Sequence, residues 1–283
     1  MLLLPRTFGS VIYQLNVFID TILASLSSIV GEGGVAAIYY ANRIIQFPLA
    51  VFGIAVSTAA LPTMSIQAAE DNLEKLRSTL SFSLRSIFLI MLPSSVGLII
   101  LSNPITRILF ERGEFDAYST SITSLALLFY SFGLFAYSGV KVLASCFHSL
   151  QDTLTPVKVA SICLIINLFL NLILMFPLKV GGLALASSIS ATTNFLILYF
   201  LLRRKIGQLD EKRILRSFIR MGLSALTMGA SLILFWKSLF LNFPEGLRLL
   251  IAIILGTLTF GFSCAIFGVK EVKELGRWIL KRN

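Results

Sequence analysis

Long apolar segments dominate this chain and constrain its fold more than any other feature. Eight of them are long enough to cross the hydrocarbon core of a bilayer, which takes about 20 mostly apolar residues in a helix. Together they cover a little under two-thirds of the 283 residues. The segments lack strand-like alternation and exceed the length of barrel strands, so we expect an all-α integral membrane protein with eight transmembrane helices. The predicted spans are Phe8–Val30, Ala37–Pro62, Ser86–Pro104, Ser119–Phe147, Val159–Pro177, Gly181–Leu202, Met221–Leu241 and Leu249–Gly268.

Composition excludes the common soluble and enzymatic classes. Only 13% of the residues are charged, against roughly 25% in soluble domains. The three cysteines, Cys146, Cys163 and Cys264, form no CxxC pair, and the chain contains one histidine. Neither a disulfide framework nor a zinc site is indicated. HExxH and phosphate-loop motifs are also absent, so we expect no enzymatic activity and no organic cofactor.

The basic residues are distributed unequally between the two ends of the predicted spans. Of the 24 Lys and Arg, seventeen lie on the side that holds both chain termini, and two, Arg43 and Lys141, lie within spans. The other side has only five, which are Arg107, Arg112, Lys179, Lys237 and Arg248. Because basic loops stay in the cytoplasm, we expect both termini there. The net charge of +10 then reflects topology and contact with membrane lipids, and it requires no nucleic acid partner.

Two stretches outside the spans have an amphipathic helical pattern. In Ile66–Leu76 the apolar residues fall on one face, and Val269–Leu280 repeats this pattern near Trp278, a residue type that favours the headgroup region. We expect both stretches to lie on the membrane surface as helices.

Polar residues inside spans are the candidates for function because they are costly in lipid. Asp20 lies in the middle of the first span, and Asn167 and Asn171 share one face of the fifth, since they are four residues apart. Ser187 is among several hydroxyl residues of the sixth span. One carboxylate with neutral oxygens suits a hard monovalent cation such as Na⁺. The alternatives are a protonated or hydrogen-bonded structural aspartate and an asparagine pair that joins helices.

The second span contains a permanently charged side chain, Arg43, flanked by Asn42 and Gln46 and followed by Pro48. A guanidinium at this depth must face water or an anion, and it favours bidentate contact with phosphate. It could instead reach the membrane surface by extending along its helix. For Lys141, nearer the end of the fourth span, such snorkelling explains the residue as well as a function does.

Four stretches together resemble the MurJ/MviN family of lipid II flippases, within the superfamily of multidrug, oligosaccharidyl-lipid and polysaccharide exporters. They are PRTFGSVIYQLNVFIDTILAS from Pro5, NRIIQFPLAVFGIAVSTAALP from Asn42, LFERGEFDAYST from Leu109 and QDTLTPVK from Gln151. The resemblance runs from about Pro5 to Leu202, and the remainder fits by its number of spans.

The resemblance implies two six-helix lobes around a central cavity, followed by two further helices. Residues 1–206 would form the second lobe and residues 207–283 the two additional helices, ending in the amphipathic cytoplasmic tail. The implied function is transport of lipid II, the undecaprenyl-pyrophosphate-linked peptidoglycan precursor, across the bacterial inner membrane for cell wall biogenesis and cell shape. The first lobe is missing, so we expect a fragment, a truncated reading frame or a split transporter with a separate N-terminal lobe as partner. The alternatives are another exporter of the superfamily and a non-transporting scaffold half.

The resemblance also assigns roles to individual residues. It makes Arg43, with Asn42 and Gln46 beside it, a contact for the lipid-linked pyrophosphate. Asp20, Asn167 and Asn171 match residues that bind Na⁺ in some family members, as a coupling or structural ion. Ser187 and the backbone oxygen of Leu183 would complete that site. Other members can carry a second acid in place of Asn171, so here the site would have a single carboxylate.

Overall fold

The computed structural model describes residues 3–237 and 243–271, and all regular elements within them are helical. A π-helical segment, Leu49–Ile54, joins α3 to α4. The helices are α1 (Leu3–Ala24), α2 (Ser27–Val30), α3 (Gly34–Pro48), α4 (Ala55–Ala69), α5 (Leu73–Ile100), α6 (Ser102–Phe110), α7 (Ala117–Phe132), α8 (Leu134–Ser149), α9 (Leu154–Leu178), α10 (Val180–Ile206), α11 (Glu211–Lys237) and α12 (Glu245–Ile266).

The all-α membrane fold is confirmed, with a smaller number of clear spans than the eight expected. Among the described residues, six helical units are long and apolar enough to cross a membrane: α5, α9, α10, α11, α12 and the continuous unit Gly34–Ala69. The pair α7 and α8 qualifies as a seventh span, bent by 46° at Gly133. The described apolar part of α1, Gln14–Ala24, is shorter than a full span.

Two of the predicted boundaries differ from the helices. The first predicted span, Phe8–Val30, is interrupted because α1 ends at Ala24 and a single helical turn follows. Two glycines after that turn, Gly31 and Gly33, have positive φ angles of 97° and 73°, which glycine adopts without steric cost. The third predicted span begins earlier than expected, since α5 starts at Leu73.

The prediction of a surface helix over Ile66–Leu76 is wrong. Helix α4 continues to Ala69, the chain turns at residues 70–72, and α5 begins at once. The side chain of Asn72 caps α5 by accepting a hydrogen bond from the Lys75 amide at 3.1 Å. Leu76 is fully buried whereas Ile66 is 60% exposed, so the two residues do not share a face. The other stretch, Val269–Leu280, lies outside the described residues beyond Glu271.

Ion pairs and capping contacts show which helix ends share a side of the bundle. On one side, Lys205 Nζ at the end of α10 contacts Asp152 before α9 at 2.6 Å, and Arg203 contacts Glu211 of α11 at 2.5 Å. On the opposite side, Arg107 of α6 contacts Glu245 at the start of α12 at 2.8 Å. The long helices therefore alternate in direction, as expected of successive spans.

A cluster of phenylalanines holds α11 against the preceding helices. Phe88 of α5 packs edge-to-face with Phe135, Phe195 and Phe218, with ring centroids 5.2–6.3 Å apart. Helix α12 then packs on α11, where the hydroxyls of Thr227 and Ser263 lie 2.8 Å apart. The boundary predicted at residue 206 between a lobe and two extra helices stays a prediction.

The π-helical segment widens the span formed by α3 and α4. Pro48 precedes it and has no amide hydrogen to give to the regular helical ladder. A Cβ on Gly53 would come within 2.9 Å of Ser138 Oγ, so the glycine allows this wide turn to approach α8 closely. Single π turns of this kind commonly occur at functional sites.

Candidate functional site

A polar cavity of about 560 Å³ lies within the otherwise apolar bundle. Residues of α1, α3, the π-helical segment and α7 to α10 form its wall. Its polar lining comprises Asn16, Asp20, Asn42, Gln46, Tyr130, Tyr137, Lys141, Asn167, Ser187, Ser190 and Asn194. Polar lining of this density is expensive in a membrane protein unless the cavity holds water or a ligand.

A hydrogen-bonded cluster around Asp20 occupies one part of the cavity wall. The Asp20 side chain is buried at 6% exposure. Its Oδ1 accepts a hydrogen bond from Asn171 Nδ2 at 2.7 Å, and its Oδ2 accepts one from Ser187 Oγ at 3.1 Å. With Asn167, described next, the structure brings together four of the five residues predicted for an ion site. They come from α1, α9 and α10.

Asn167 completes the cluster, and its amide can bond in two orientations. In one, its Oδ1 accepts from Asn171 Nδ2 at 2.9 Å and its Nδ2 donates to Ser187 Oγ at 3.3 Å. Rotated by half a turn, its nitrogen donates to Asn16 Oδ1 at 3.0 Å and to Asp20 Oδ1 at 3.3 Å. Both orientations keep the amide within the cluster.

One oxygen of this cluster is left without a donor. Asn171 is completely buried, and its Oδ1 has no hydrogen-bond partner among the described residues. A buried carbonyl oxygen without a donor costs about 1–3 kcal/mol. Together with the Asp20 carboxylate it forms an oxygen-rich set with a single negative charge. Ligands of this kind suit a hard monovalent cation, and the ion site stays a prediction.

The tight connection between α9 and α10 sets the register that places Ser187 opposite Asn167. Lys179, between the two helices, has a positive φ of 51°. A Cβ on Gly182 would lie only 2.1 Å from the Leu174 carbonyl oxygen, so only glycine permits this approach. Leu183, one turn before Ser187, is fully buried within regular α-helix, and its carbonyl as a ligand stays a prediction.

Arg43 lies apart from the Asp20 cluster. Asn42 and Gln46 line the cavity and join to each other, with Gln46 Nε2 donating to Asn42 Oδ1 at 3.1 Å. Arg43 is exposed, donates to the Tyr39 hydroxyl at 2.9 Å and stacks its guanidinium over the Tyr39 ring at 5.1 Å. It lies about 60° around the helix from Gln46 at 100° per residue. Arg43 is therefore not among the residues that line the cavity, and its guanidinium lies on an exposed face of α3 beside the lining residues Asn42 and Gln46.

Three further polar side chains line the cavity, of which the sequence had singled out only Lys141, without choosing between snorkelling and a function. Lys141 lines it from α8, and no salt bridge joins it to an acid among the described residues. Asn194 also lines it, and its Oδ1 has no hydrogen-bond partner in that part of the chain. Asn16 lies one turn before Asp20 on α1. Of the two residues that the sequence analysis did not name, Asn16 and Asn194, only Asn16 could have been found, because it lies one turn from Asp20.

Comparison with known proteins matches the chain to one family. The model described as "Lipid II flippase MurJ" matches residues 1–254. A probable lipid II flippase MurJ from Haemophilus influenzae is 32% identical, over 95% of this chain and 54% of that protein. Its counterpart from Rickettsia prowazekii is 39% identical, over 69% of this chain and 38% of that protein. The chain spans about half the length, or less, of these curated relatives.

Solved structures give the same result. A structure of lipid II flippase MurJ in an inward closed conformation is similar with a TM-score of 0.78 and 28% identity, covering 93% of this chain and 53% of that one. An outward-facing multidrug transporter of the MATE family has a TM-score of 0.58 at 16% identity, a likeness of fold alone.

Proposed function

Because the chain belongs to the MurJ lipid II flippase family, we propose that it forms one lobe of a transporter for lipid-linked pyrophosphate. The substrate is lipid II, carried from the cytoplasmic to the outer leaflet of the bacterial inner membrane without covalent chemistry. The observation that carries this proposal is the cavity with polar side chains inside an apolar bundle. Arg43 lies on an exposed face of α3, the helix that lines this cavity with Asn42 and Gln46.

The proposed transporter needs a second lobe, because alternating access requires one bundle to move against another. The curated relatives are a little under twice as long as this chain, which fits a transporter of two lobes. In this proposal the chain contributes eight spans with both termini in the cytoplasm. A first lobe, on the same or a separate polypeptide, faces the open side of α3. The alternating helix directions and the bias of basic residues support this topology.

We assign the pyrophosphate to Arg43, with Asn42 and Gln46 beside it. Two oxygens of one phosphate match the two parallel N–H groups of a guanidinium. The cation–π contact with Tyr39 limits the freedom of the Arg43 side chain, which lowers the entropic cost of holding an anion. Lys141, which lines the cavity from α8, supplies a second positive charge for the pyrophosphate as it passes through the cavity.

We assign Na⁺, as a coupling or structural ion, to Asp20, Asn167, Asn171 and Ser187. The residues fit such an ion because one carboxylate and several neutral oxygens surround the site, and Asn171 Oδ1 lacks a donor. The bound ion would supply a positive charge that neutralises Asp20. The protein's own part is to gather α1, α9 and α10 around that carboxylate, so loading the site would favour the packing in which the three helices meet.

A leaflet-specific assay of lipid II tests the proposal in cells depleted of their own flippase. This chain, supplied with a first lobe from a relative, should restore lipid II to the outer leaflet. Arg43→Ala should reduce transport by roughly 10- to 100-fold, the range expected for lost hydrogen bonds to a charged group, and Arg43→Lys should recover part of it. The control Arg112→Ala removes an exposed arginine distant from the cavity wall and should be neutral. Unchanged lipid II orientation with the wild-type pair would reject the substrate, and an active Arg43→Ala variant would favour a scaffold role.

A further inference from the structure

A second cavity, of about 440 Å³, lies between the start of α11 and the turn that follows α12. Five of the residues around it are basic, and they are Lys212, Arg213, Arg216, Arg220 and Lys270. We propose that this basic pocket binds the phosphodiester headgroup of an anionic phospholipid. The inference goes beyond the transport function proposed above and does not depend on it.

The wall of the basic pocket is built by specific contacts. Gly268, with a φ of +65°, reverses the chain after α12, and Arg220 Nη1 donates to its carbonyl at 2.9 Å. Glu271 then reaches back to α11 and α5, where its Oε1 accepts from Ser217 Oγ at 2.7 Å and from Arg85 Nη1. These bonds hold Lys270 beside the basic face of α11.

The charge balance of the basic pocket favours an anion. Two acids border it, Asp210 and Glu271. Glu271 is 3% exposed and its carboxylate is paired with Arg85, so it offers little compensation to the five basic side chains. Even with Arg213 left out because it has a contact of its own, four basic side chains and Asp210 remain, which is a clear excess of positive charge. Basic pockets between membrane helices at their cytoplasmic ends are a recurrent mode of binding anionic headgroups.

The position of the basic pocket distinguishes a lipid from a soluble phosphate. It lies where the apolar stretch of α11 begins, after Arg220, and where α12 ends. Exposed apolar side chains follow within about two turns on both helices, with Ile219 and Leu223 on α11 and Phe262 and Ile266 on α12. A phospholipid bound by its headgroup would lay its acyl chains on these residues, whereas free phosphate gains nothing from them.

Binding would tie α11 and α12 to each other and to α5. The basic pocket joins residues from both helices, and the Glu271 contact extends to Arg85 of α5. A lipid held there adds a further bridge to the Arg85–Glu271 ion pair and the Arg220–Gly268 hydrogen bond that already join these elements. We therefore expect anionic lipid to raise the thermal stability of the protein.

The experiment uses the 283-residue chain in nanodiscs of dioleoyl phosphatidylcholine with increasing tetraoleoyl cardiolipin or dioleoyl phosphatidylglycerol. Thermal midpoints are measured, and retained lipids are counted by native mass spectrometry. The pocket variant is Lys212→Gln/Arg216→Gln/Lys270→Gln. The matched control, Lys75→Gln/Lys158→Gln/Arg204→Gln, removes three exposed basic residues at the same end of the bundle. The pocket variant and the control variant should both melt at the wild-type temperature in pure phosphatidylcholine. If the pocket variant does not, the single variant Lys270→Gln is used in its place.

Anionic lipid should stabilise the wild type and the control and be retained by them. The pocket variant should bind about 100-fold more weakly, from about fivefold for each basic side chain near an anionic surface. Equal losses in the pocket and control variants would overturn the proposal in favour of diffuse surface charge. Absence of any lipid effect would also overturn it. Inorganic phosphate that stabilises as well as lipid at equal phosphate concentration would replace the lipid with a soluble anion.

Discussion

The Asp20 carboxylate accepts a hydrogen bond from Asn171 at 2.7 Å although 151 positions separate the two residues in the chain. This contact joins α1 to α9 inside the bundle, where an unsatisfied carboxylate would be costly. It also leaves the other atom of the same amide, Asn171 Oδ1, without a donor. The proposed cation site rests on this pairing of a buried charge with an oxygen that has no donor.

Sodium chloride should raise the thermal midpoint of the wild-type chain relative to choline chloride at equal ionic strength. Asp20→Ala should abolish this difference because it removes the only charge of the cluster, and Asn171→Ala should weaken it. Asn194→Ala, in the same cavity but two turns beyond Ser187, is the matched control and should keep the sodium effect. A wild type indifferent to sodium would exclude the proposed ion, and a sodium effect that survives Asp20→Ala would place it elsewhere.

Lys141→Met should reduce lipid II transport while leaving the fold intact. Methionine keeps most of the side-chain length and removes the positive charge that this residue presents to the cavity. Lys141→Arg should retain activity, and Lys158→Met, which changes an exposed lysine at the end of the bundle, should have no effect. If Lys141 only packs against its neighbours, the methionine variant will transport as well as the wild type.

Gly182→Ala should destabilise the protein by about 1–3 kcal/mol or more, the usual cost of forcing an extra methyl into a packed site. The added Cβ would overlap the Leu174 carbonyl and push α10 away from α9. Gly222→Ala makes the same change in α11 where nothing lies within 4 Å. It should be neutral or stabilising by about 0.5–1 kcal/mol. Chemical denaturation in detergent measures both, and equal effects would contradict the role given to the tight connection.

The stability of the contact between α5, α11 and the turn after α12 should fall in acid. Burial alone would raise the pKa of the Glu271 carboxyl, but hydrogen bonds from Ser217 and Arg85 outweigh burial and hold the pKa below its ordinary value of 4.5. A lowered folded-state pKa means that this contribution is fully present above about pH 4.5 and is lost as the pH falls through the folded value.

Thermal midpoints measured against pH check this expectation. Glu271→Gln should be less stable than the wild type at neutral pH, because Arg85 loses its charge partner, and it should lose less stability in acid. Glu70→Gln, an exposed acid at the same end of the bundle, should follow the wild-type curve. A Glu271→Gln curve parallel to that of the wild type would show that another group controls the acid transition.

Much of the candidate site was accessible from residue types and spacing. The four-residue interval between Asn167 and Asn171 places both amides on one helix face, and a carboxylate in the middle of a span has to meet a partner. In the structure, Asp20 and the two asparagines form hydrogen bonds with one another and with Ser187. The sequence assigned Arg43 a role different from that of this cluster, but it could not say how the two are placed in space, since they lie on helices whose relative rotation is set by packing.

The errors have a common origin in local geometry. The bend at Gly133 falls where apolar composition continues without a break, so hydropathy alone runs through it. At residues 70–72 the helical spacing of apolar residues continues from Ala69 to Leu73, so periodicity alone does not reveal the turn. Lys141 was equally consistent with an extended side chain at the membrane surface, because its neighbours in sequence do not reveal which face of α8 borders the cavity.

By itself the sequence determined that this chain spans a membrane as helices and which polar groups must find partners. Its basic residues also favour one orientation of the spans in the membrane. These properties follow from transfer free energies of individual residues and need no knowledge of neighbours. Only the tertiary structure decided which groups meet: Asp20 with Asn171, Lys141 with the cavity, and five basic residues around one pocket. In lipid no hydrophobic force distinguishes one helix face from another. Close packing at positions such as Gly182 therefore selects the arrangement, and the sequence does not reveal that selection before the helices are assembled.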